Sequence, residues 1–191
     1  MNPAQLPPTN DINWIKLWKL NAPERIKMLL WRIGVNALPT RENLMTRLHI
    51  EDPNCVFCKQ EIENLCHIFF RCPAAKAIWF SACWGLRTEQ LVLSHPEDIV
   101  KLVLDPPSGF EDAQQQWQTS LIMALTIEEI WKSRNNALHH NAAWDVTTSI
   151  QHIHHWFYEF SLVSPHTNPS PSLLAPQHWF PPPPSLRTGL S

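Results

Sequence analysis

The chain has 191 residues, of which 44% are hydrophobic and 10 are Trp, enough for one core with a small metal module beside it. Only 4 residues are Gly, which argues against Gly-rich phosphate loops and many tight hairpins. Residues 1–11 lack the apolar stretch of a secretory signal, and no apolar run approaches the length that spans a bilayer. The composition predicts an intracellular protein of the nucleus or cytoplasm, not secreted and without a membrane partner.

The formal net charge of -2 hides an uneven distribution along the chain. Residues 1–76 carry 10 Lys and Arg against 7 Asp and Glu, whereas residues 77–191 carry 5 against 10. The basic first part predicts weak, non-specific contact with phosphates of RNA or DNA. The residues expected to make this contact are Lys16, Lys19, Arg25, Lys27, Arg41 and Arg47. A solvated helix face explains the same pattern, so a protein–protein scaffold without nucleic-acid binding stays an alternative.

The first half of the chain contains helical patterns separated by breakers. Residues 1–12 are predicted to be disordered. Apolar spacing predicts a helix over 23–37 with Pro23 in its first turn, and a second helix from the capping residue Thr40 to about Leu48. A third helix is expected over 61–70. Pro73 is expected to open a fourth helix, which ends at Gly85.

The second half continues the helical pattern and ends in a different composition. Helices are predicted over 95–104, 111–138 and 145–162, with Lys132-Ser133-Arg134-Asn135-Asn136 as a polar helix end. Residues 164–191 include eight Pro and a single charge, and are predicted to be a disordered tail. No convincing strand is found. The predicted class is all-α: a small zinc-stabilised helical module, a helical segment and a disordered Pro-rich tail.

Four metal-binding side chains lie within eighteen residues: Cys55, Cys58, His67 and Cys72. A Cys-x2-Cys turn can hold two thiolates on one ion, and a later pair completes the tetrahedron that zinc prefers. Four protein ligands leave no open position for a substrate, so the pattern predicts a structural Zn²⁺ site. One alternative stays open. Cys66 precedes His67, the two point about 100° apart on a helix, and only one of them is expected to ligate.

Other residues suit a binding role less well. Trp14, Trp18, Trp31, Trp79 and Trp84 could stack on bases, but their helical spacing among aliphatic residues favours core packing. His152, His154 and His155 could bind metal, but without Cys partners nearby an exposed helix face is favoured.

No catalytic pattern is present in the sequence. Carboxylates are scattered, and there is neither a Gly-x-Ser-x-Gly elbow nor a Gly-rich loop that leads to Lys-Ser or Lys-Thr. We therefore expect no enzyme activity and no small-molecule substrate. The oligomeric state is not predicted.

Taken together, these residues resemble the reverse-transcriptase zinc-binding domain of plant LINE-type (non-LTR) retroelements. The resemblance covers about residues 14–84. It includes Trp18-Lys19-Leu20, Leu30-Trp31-Arg32, Leu38-Pro39-Thr40 and the four ligands. Cys66 departs from the pattern, which more often has an acidic residue there. The resemblance implies a zinc domain that follows a polymerase and helps to hold RNA or DNA.

Later segments resemble the same polyproteins more loosely. Residues 130–135 are similar to a Trp-x-x-Arg-Asn segment found after the domain, and residues 178–182 are similar to the lead-in to a ribonuclease H domain. The resemblance implies a fragment without the polymerase or the ribonuclease H domain. The expected organisation is a disordered 1–12, a zinc-binding domain over 13–85, a helical connector over 86–163 and the tail over 164–191.

Overall fold

Seven α-helices make up most of the described part of the chain, and that part contains no strand. The computed structural model describes residues 12–83, 85–107, 112–140 and 142–162. A π turn (His67–Arg71) lies between the third and fourth helices, and a 3-10 turn (Thr88–Gln90) between the fourth and fifth. The all-α prediction is confirmed. The helices are α1 (Trp14–Lys19), α2 (Glu24–Gly34), α3 (Arg41–Leu48), α4 (Pro73–Ala82), α5 (Pro96–Leu104), α6 (Ala113–His140) and α7 (Val146–Leu162).

Capping residues account for where several helices begin. Pro23 and Thr40 are the N-caps of α2 and α3, and the Thr40 hydroxyl accepts a hydrogen bond from the Asn43 amide at 3.3 Å. Pro73 is the first residue of α4, where its missing N–H costs nothing. The Asp145 carboxylate accepts amide hydrogen bonds at the start of α7. These starts agree with the predictions to within one residue.

The sequence analysis missed one helix and misplaced the start of another. The short helix α1 was not predicted. The helix expected from Glu61 begins only at Leu65. Instead, the Glu61 carbonyl accepts a hydrogen bond from the Cys55 amide at 2.8 Å, and the Glu63 amide donates to the Pro53 carbonyl at 2.9 Å. Pairing with the preceding segment, which includes an isolated antiparallel bridge between Asn54 and Ile62, holds these residues extended.

One hydrophobic core runs across the expected boundary between residues 85 and 86. Helix α6 contacts α2, α4, α5, α7 and the π turn. Leu30 of α2, Val103 of α5 and Ile127 of α6 are all fully buried in the same cluster. Trp79 of α4 is fully buried too, and its indole N–H donates to the Phe69 carbonyl at 2.6 Å. The predicted zinc-binding and connector segments therefore pack as one body.

The tryptophans divide between core and surface, contrary to the prediction that all five pack inside. Trp79 is buried and Trp14 is half-buried, but Trp18 is 43% exposed and Trp31 is 37% exposed. Trp84 lies outside the described residues.

The predicted disordered ends lie almost entirely outside the described residues. Of the predicted 1–12 segment, only Ile12 is described, and it is buried at 5% exposure against α2. The tail over 164–191 lies wholly outside. Among the described helices, none combines the length and the apolar character needed to cross a membrane.

Candidate metal centre

Cys55, Cys58, His67 and Cys72 converge on one point of the structure. Their ligand atoms all lie within 4.8 Å of one another. The sulfur atoms of Cys55 and Cys72 are 3.9 Å apart, and the Cys58 sulfur lies 3.4 Å from His67 Nε2. Three of the four residues are buried and Cys58 is half-buried. The sequence-predicted ligand set is therefore brought together by the fold.

The spacing of these atoms fits a zinc ion. Zn–S bonds of about 2.3 Å in a tetrahedron place two sulfurs roughly 3.8 Å apart, and a Zn–N bond of about 2.0 Å gives a slightly shorter S···N separation. The observed 3.9 Å and 3.4 Å match both values. Three sulfurs and one imidazole nitrogen are also the donor set that zinc selects over hard cations.

A π turn positions the second pair of ligands. The Cys72 amide donates to the His67 carbonyl at 2.8 Å, so residues five apart close one turn of backbone. In a regular α-helix, five residues would rotate the two side chains about 140° apart. The π turn reduces this offset, and His67 and Cys72 lie on the same side, facing Cys55 and Cys58.

The carboxylate of Glu61 orients the His67 ring. Glu61 Oε2 lies 3.0 Å from His67 Nδ1, while Nε2 faces the sulfurs. Donation of an Nδ1 proton to this carboxylate leaves Nε2 as the ligand atom, the arrangement that supports many zinc-bound histidines. Glu61 was not predicted to act in the site. The segment 61–70 was interpreted as a helix, and that pattern gave no sign of a contact between Glu61 and His67.

Cys66 points away from the centre. Its thiol is buried at 7% exposure and lies outside the four-residue cluster, beside a cavity of about 230 Å³ that Arg71 and Ser94 also line. Burial raises the pKa of this thiol, which keeps it protonated. The structure therefore places His67, and not Cys66, with the three cysteines.

The ligand side chains shift one another's pKa values. A hydrogen bond to Cys72 raises the pKa of Cys55 to about 12, and the same bond lowers the pKa of Cys72. Burial works against a charged His67, but hydrogen bonds and charge attraction from Cys55 and Cys58 outweigh it and raise the pKa of His67 to about 9. The cluster thus attracts positive charge, which a divalent cation supplies better than protons.

Comparison with known proteins agrees with this geometry. Residues 4–79 match the family described as zinc-binding in reverse transcriptase. The matched segment is less than half of the chain, and over it the chain is similar to a reverse-transcriptase zinc-binding domain. The resemblance seen in the sequence and the prediction of zinc as cofactor are both confirmed.

One curated relative extends beyond the zinc-binding domain. It is an Arabidopsis thaliana protein named as a candidate ribonuclease H protein, 34% identical over 119 residues. The alignment covers 62% of this chain, which spans only 18% of the relative's length. No solved structure matches the chain.

A buried ion pair connects the zinc-binding domain to α6. Arg134 is 1% exposed, and its Nη2 and Nε atoms lie 2.7 Å and 3.1 Å from Oε1 of the fully buried Glu63. Glu63 lies between the two ligand pairs in sequence, and its carboxylate also accepts the Arg41 amide at 3.1 Å. The prediction that residues 132–136 form a polar helix end was wrong for Arg134, because Glu63 neutralises it inside the core.

An aromatic contact joins the first ligand turn to the segment between α6 and α7. Phe57, between Cys55 and Cys58, stacks on Trp144 with ring centroids 4.0 Å apart. The Trp144 indole N–H donates to the Ser149 hydroxyl at 2.9 Å, which fixes the ring at the start of α7. The turn that holds two ligands therefore rests on the α6–α7 hairpin.

Most of the predicted phosphate-binding residues form ion pairs within the chain. Lys16 pairs with Asp105, Arg25 with Glu128, Lys27 with Glu24 and Arg41 with Asp52. Lys27 is also only 9% exposed. Among the described residues, Lys19 and Arg47 have no carboxylate partner. The six residues therefore do not form one free basic face.

The histidines of α7 stay apart from the metal centre. His152, His154 and His155 are exposed, and His152 Nδ1 lies 3.2 Å from Glu129 Oε1. Within the described ranges, the one cluster with three or more metal-type ligands is the Cys55–Cys72 centre.

Proposed function

We propose that this chain is a non-catalytic, structural zinc module that contributes to binding RNA or DNA. The observation that carries the structural part is the closed set of four protein ligands at Cys55, Cys58, His67 and Cys72. A zinc ion held by four side chains has no open position for water or substrate, whereas catalytic zinc keeps one. Zinc bound here would hold the ligand turn and the π turn together, without taking part in a reaction.

Free cations beside exposed aromatic rings support the nucleic-acid part. Lys19 and Arg47 have no carboxylate partner among the described residues, and the same holds for Arg32. Trp18 and Trp31 are exposed next to Lys19 and Arg32 in sequence. Phosphate contact by a few cations with stacking on aromatic rings is typical of sequence-tolerant binding to single strands. The relative named as a candidate ribonuclease H protein supports a nucleic-acid setting.

A protein–protein scaffold is the second candidate function. Ile15, Trp18, Met28, Trp31 and Val35 are exposed large hydrophobic residues on α1, on α2 and just after α2. The pairing of Lys16, Arg25, Lys27 and Arg41 with carboxylates weakens the electrostatic argument. Contiguous exposed apolar surface often marks a protein contact.

A salt titration separates the two functions. We expect the zinc-loaded chain to bind single-stranded RNA or DNA with a dissociation constant of about 10⁻⁴–10⁻⁶ M at physiological salt, and to weaken steeply as salt rises. Lys19→Gln with Arg47→Gln should weaken binding and flatten the salt dependence. Arg87→Gln with Lys132→Gln removes the same charge from the acidic half and should change little. Absence of binding even at low salt would favour the scaffold.

A further inference from the structure

A cleft of about 260 Å³ opens between the end of α1 and the start of α6. Lys16 and Lys19 of α1 are three residues apart, and Gln116, Trp117 and Ser120 of α6 follow a similar helical stripe. Leu104, at the end of α5, adds an apolar lining group. No zinc ligand lines the cleft, which is therefore separate from the metal centre.

The indole of Trp117 is a fixed wall of the cleft. Its N–H donates to the Asn21 carbonyl at 3.0 Å, which ties the segment after α1 to α6. The ring is half-buried, so the part that lines the cleft is available for contact. A ring held in this way can stack on a planar ligand without losing much conformational freedom.

The two charged residues that line the cleft, Lys16 and Lys19, are both cationic. Lys19 is exposed, and among the described residues no carboxylate pairs with it. Lys16 pairs with Asp105, but both side chains are well exposed, at 40% and 66%. Exposed ion pairs of this kind contribute little, so an arriving phosphate can draw Lys16 away from Asp105 at small cost.

We propose that this cleft binds one nucleotide of a single-stranded RNA or DNA. The base packs against Trp117, and the amide of Gln116 contacts its polar edge. The phosphate lies between Lys19 and Lys16. At about 260 Å³ the cleft is just below the roughly 300 Å³ at which ligand pockets begin, so it has no room for a second nucleotide. This inference rests on the nucleic-acid part of the proposed function and names the place of contact.

Filling the cleft tests the inference without changing charge. Ala113 lines the cleft and is exposed, and Ala77 is an exposed helical alanine that lines a different cavity. We expect Ala113→Phe to weaken binding of a twelve-residue oligouridine about tenfold, the scale of one lost stacking contact. Its salt dependence should stay as in the unmodified chain. Ala77→Phe, the matched control, should bind normally.

The outcomes distinguish the cleft from the broader proposal. If the unmodified chain binds the oligonucleotide and Ala113→Phe binds it equally well, the cleft inference is overturned and the proposed function stands. If the unmodified chain binds no oligonucleotide at low salt, the nucleic-acid proposal fails. Zinc content and thermal melting equal to those of the unmodified chain confirm that each variant is folded.

A second measurement needs no variant in the cleft. Uridine monophosphate titrated into the ¹⁵N-labelled, zinc-loaded chain should shift the indole N–H resonance of Trp117, assigned by its loss in Trp117→Phe. The Trp144 indole, bonded to Ser149 far along the chain, should stay unchanged. A Trp117 resonance that does not move at millimolar nucleotide would contradict the cleft, whatever the oligonucleotide result.

Discussion

At the scale of single residues, Glu61 sets the orientation of the His67 ring and therefore which ring nitrogen faces the metal. Its carboxylate lies 3.0 Å from His67 Nδ1, but its side chain is 66% exposed and it is not itself a ligand. We expect Glu61→Gln to lower zinc affinity about 10–100-fold, because the amide stabilises the ligating tautomer less well than a carboxylate. Competition with a chromophoric chelator measures this. Glu51→Gln, an exposed change outside the cluster, is the control, and equal affinities for the two variants would refute the role of Glu61.

Protons compete with zinc at His67 and Cys55. The pKa of His67 is raised to about 9 in the metal-free fold, and the pKa of Cys55 to about 12. Protonated His67 therefore stabilises the metal-free fold fully below its ordinary pKa of 6.5, and this contribution is lost as pH rises through about 9. Zinc affinity runs the opposite way and should increase from pH 6.5 to 9.

Calorimetry in buffers of different ionisation enthalpy checks this pH dependence. At pH 7 we expect zinc binding to release protons from both His67 and Cys55. The observed binding heat should therefore vary with the buffer. A heat that is independent of the buffer, or an affinity that falls as pH rises, would contradict the proton competition.

Arg134 and Glu63 stabilise each other only as a pair. Arg134→Met leaves Glu63 buried without its cation, which should reduce the free energy of unfolding by about 3–5 kcal/mol. Adding Glu63→Gln removes the stranded charge and keeps an acceptor for the Arg41 amide. The double variant should therefore be more stable than Arg134→Met alone in urea denaturation. A double variant that loses the sum of both single effects would show that the two residues act independently.

At the scale of elements, the sequence was sufficient for the ligands but not for the backbone that presents them. Cys-x2-Cys spacing and a later His and Cys are a local pattern, so the metal site could be predicted. The π turn could not, because its extra residue per turn depends on both ligands facing one point. Likewise, a hydrogen bond from the Cys55 amide to the Glu61 carbonyl, and one from the Glu63 amide to the Pro53 carbonyl, hold Glu61 and Glu63 extended, although the apolar spacing of 61–70 is helical.

Packing of α1 on α2 depends on Gly34. A Cβ at this position would lie 2.7 Å from atoms of both Ile12 and Trp14. Both neighbours would have to move, so Gly34→Ala should destabilise the protein by about 1–3 kcal/mol, although alanine favours helix. Thermal melting measures the loss, and zinc content should stay at one per chain because the ligands are elsewhere. Trp14→Leu in the Gly34→Ala background should recover part of the lost stability. If it recovers none, the clash with Trp14 is not the cause of the loss.

At the scale of the whole molecule, the metal centre is part of the common core. The Phe57–Trp144 stack and the Glu63–Arg134 pair both connect it to α6 and its surroundings. Neither contact was predictable, since each joins residues more than seventy positions apart in the chain. A polar string such as 132–136 carries no local sign that its arginine will be buried.

Removal of zinc should therefore loosen more than the ligand turns. Structural zinc contributes on the order of 10–16 kcal/mol in small modules, against a typical domain stability of about 5–15 kcal/mol. We expect chelation to remove amide protection in α4 and in the second half of α6, as well as over 50–75, measured by hydrogen exchange. Added Zn²⁺ should restore protection and Mg²⁺ should not. Loss confined to 50–75 would show that the domain and α6 are energetically separate.

The central claim is a zinc ion held by Cys55, Cys58, His67 and Cys72. X-ray absorption on the purified chain, with metal content from elemental analysis, tests it most directly. We predict one zinc per chain with three sulfurs at about 2.3 Å and one nitrogen at about 2.0 Å. The same shell should persist in Cys66→Ala and be lost in His67→Ala. A chain purified under reducing conditions without zinc, or a shell of four sulfurs, would contradict the account.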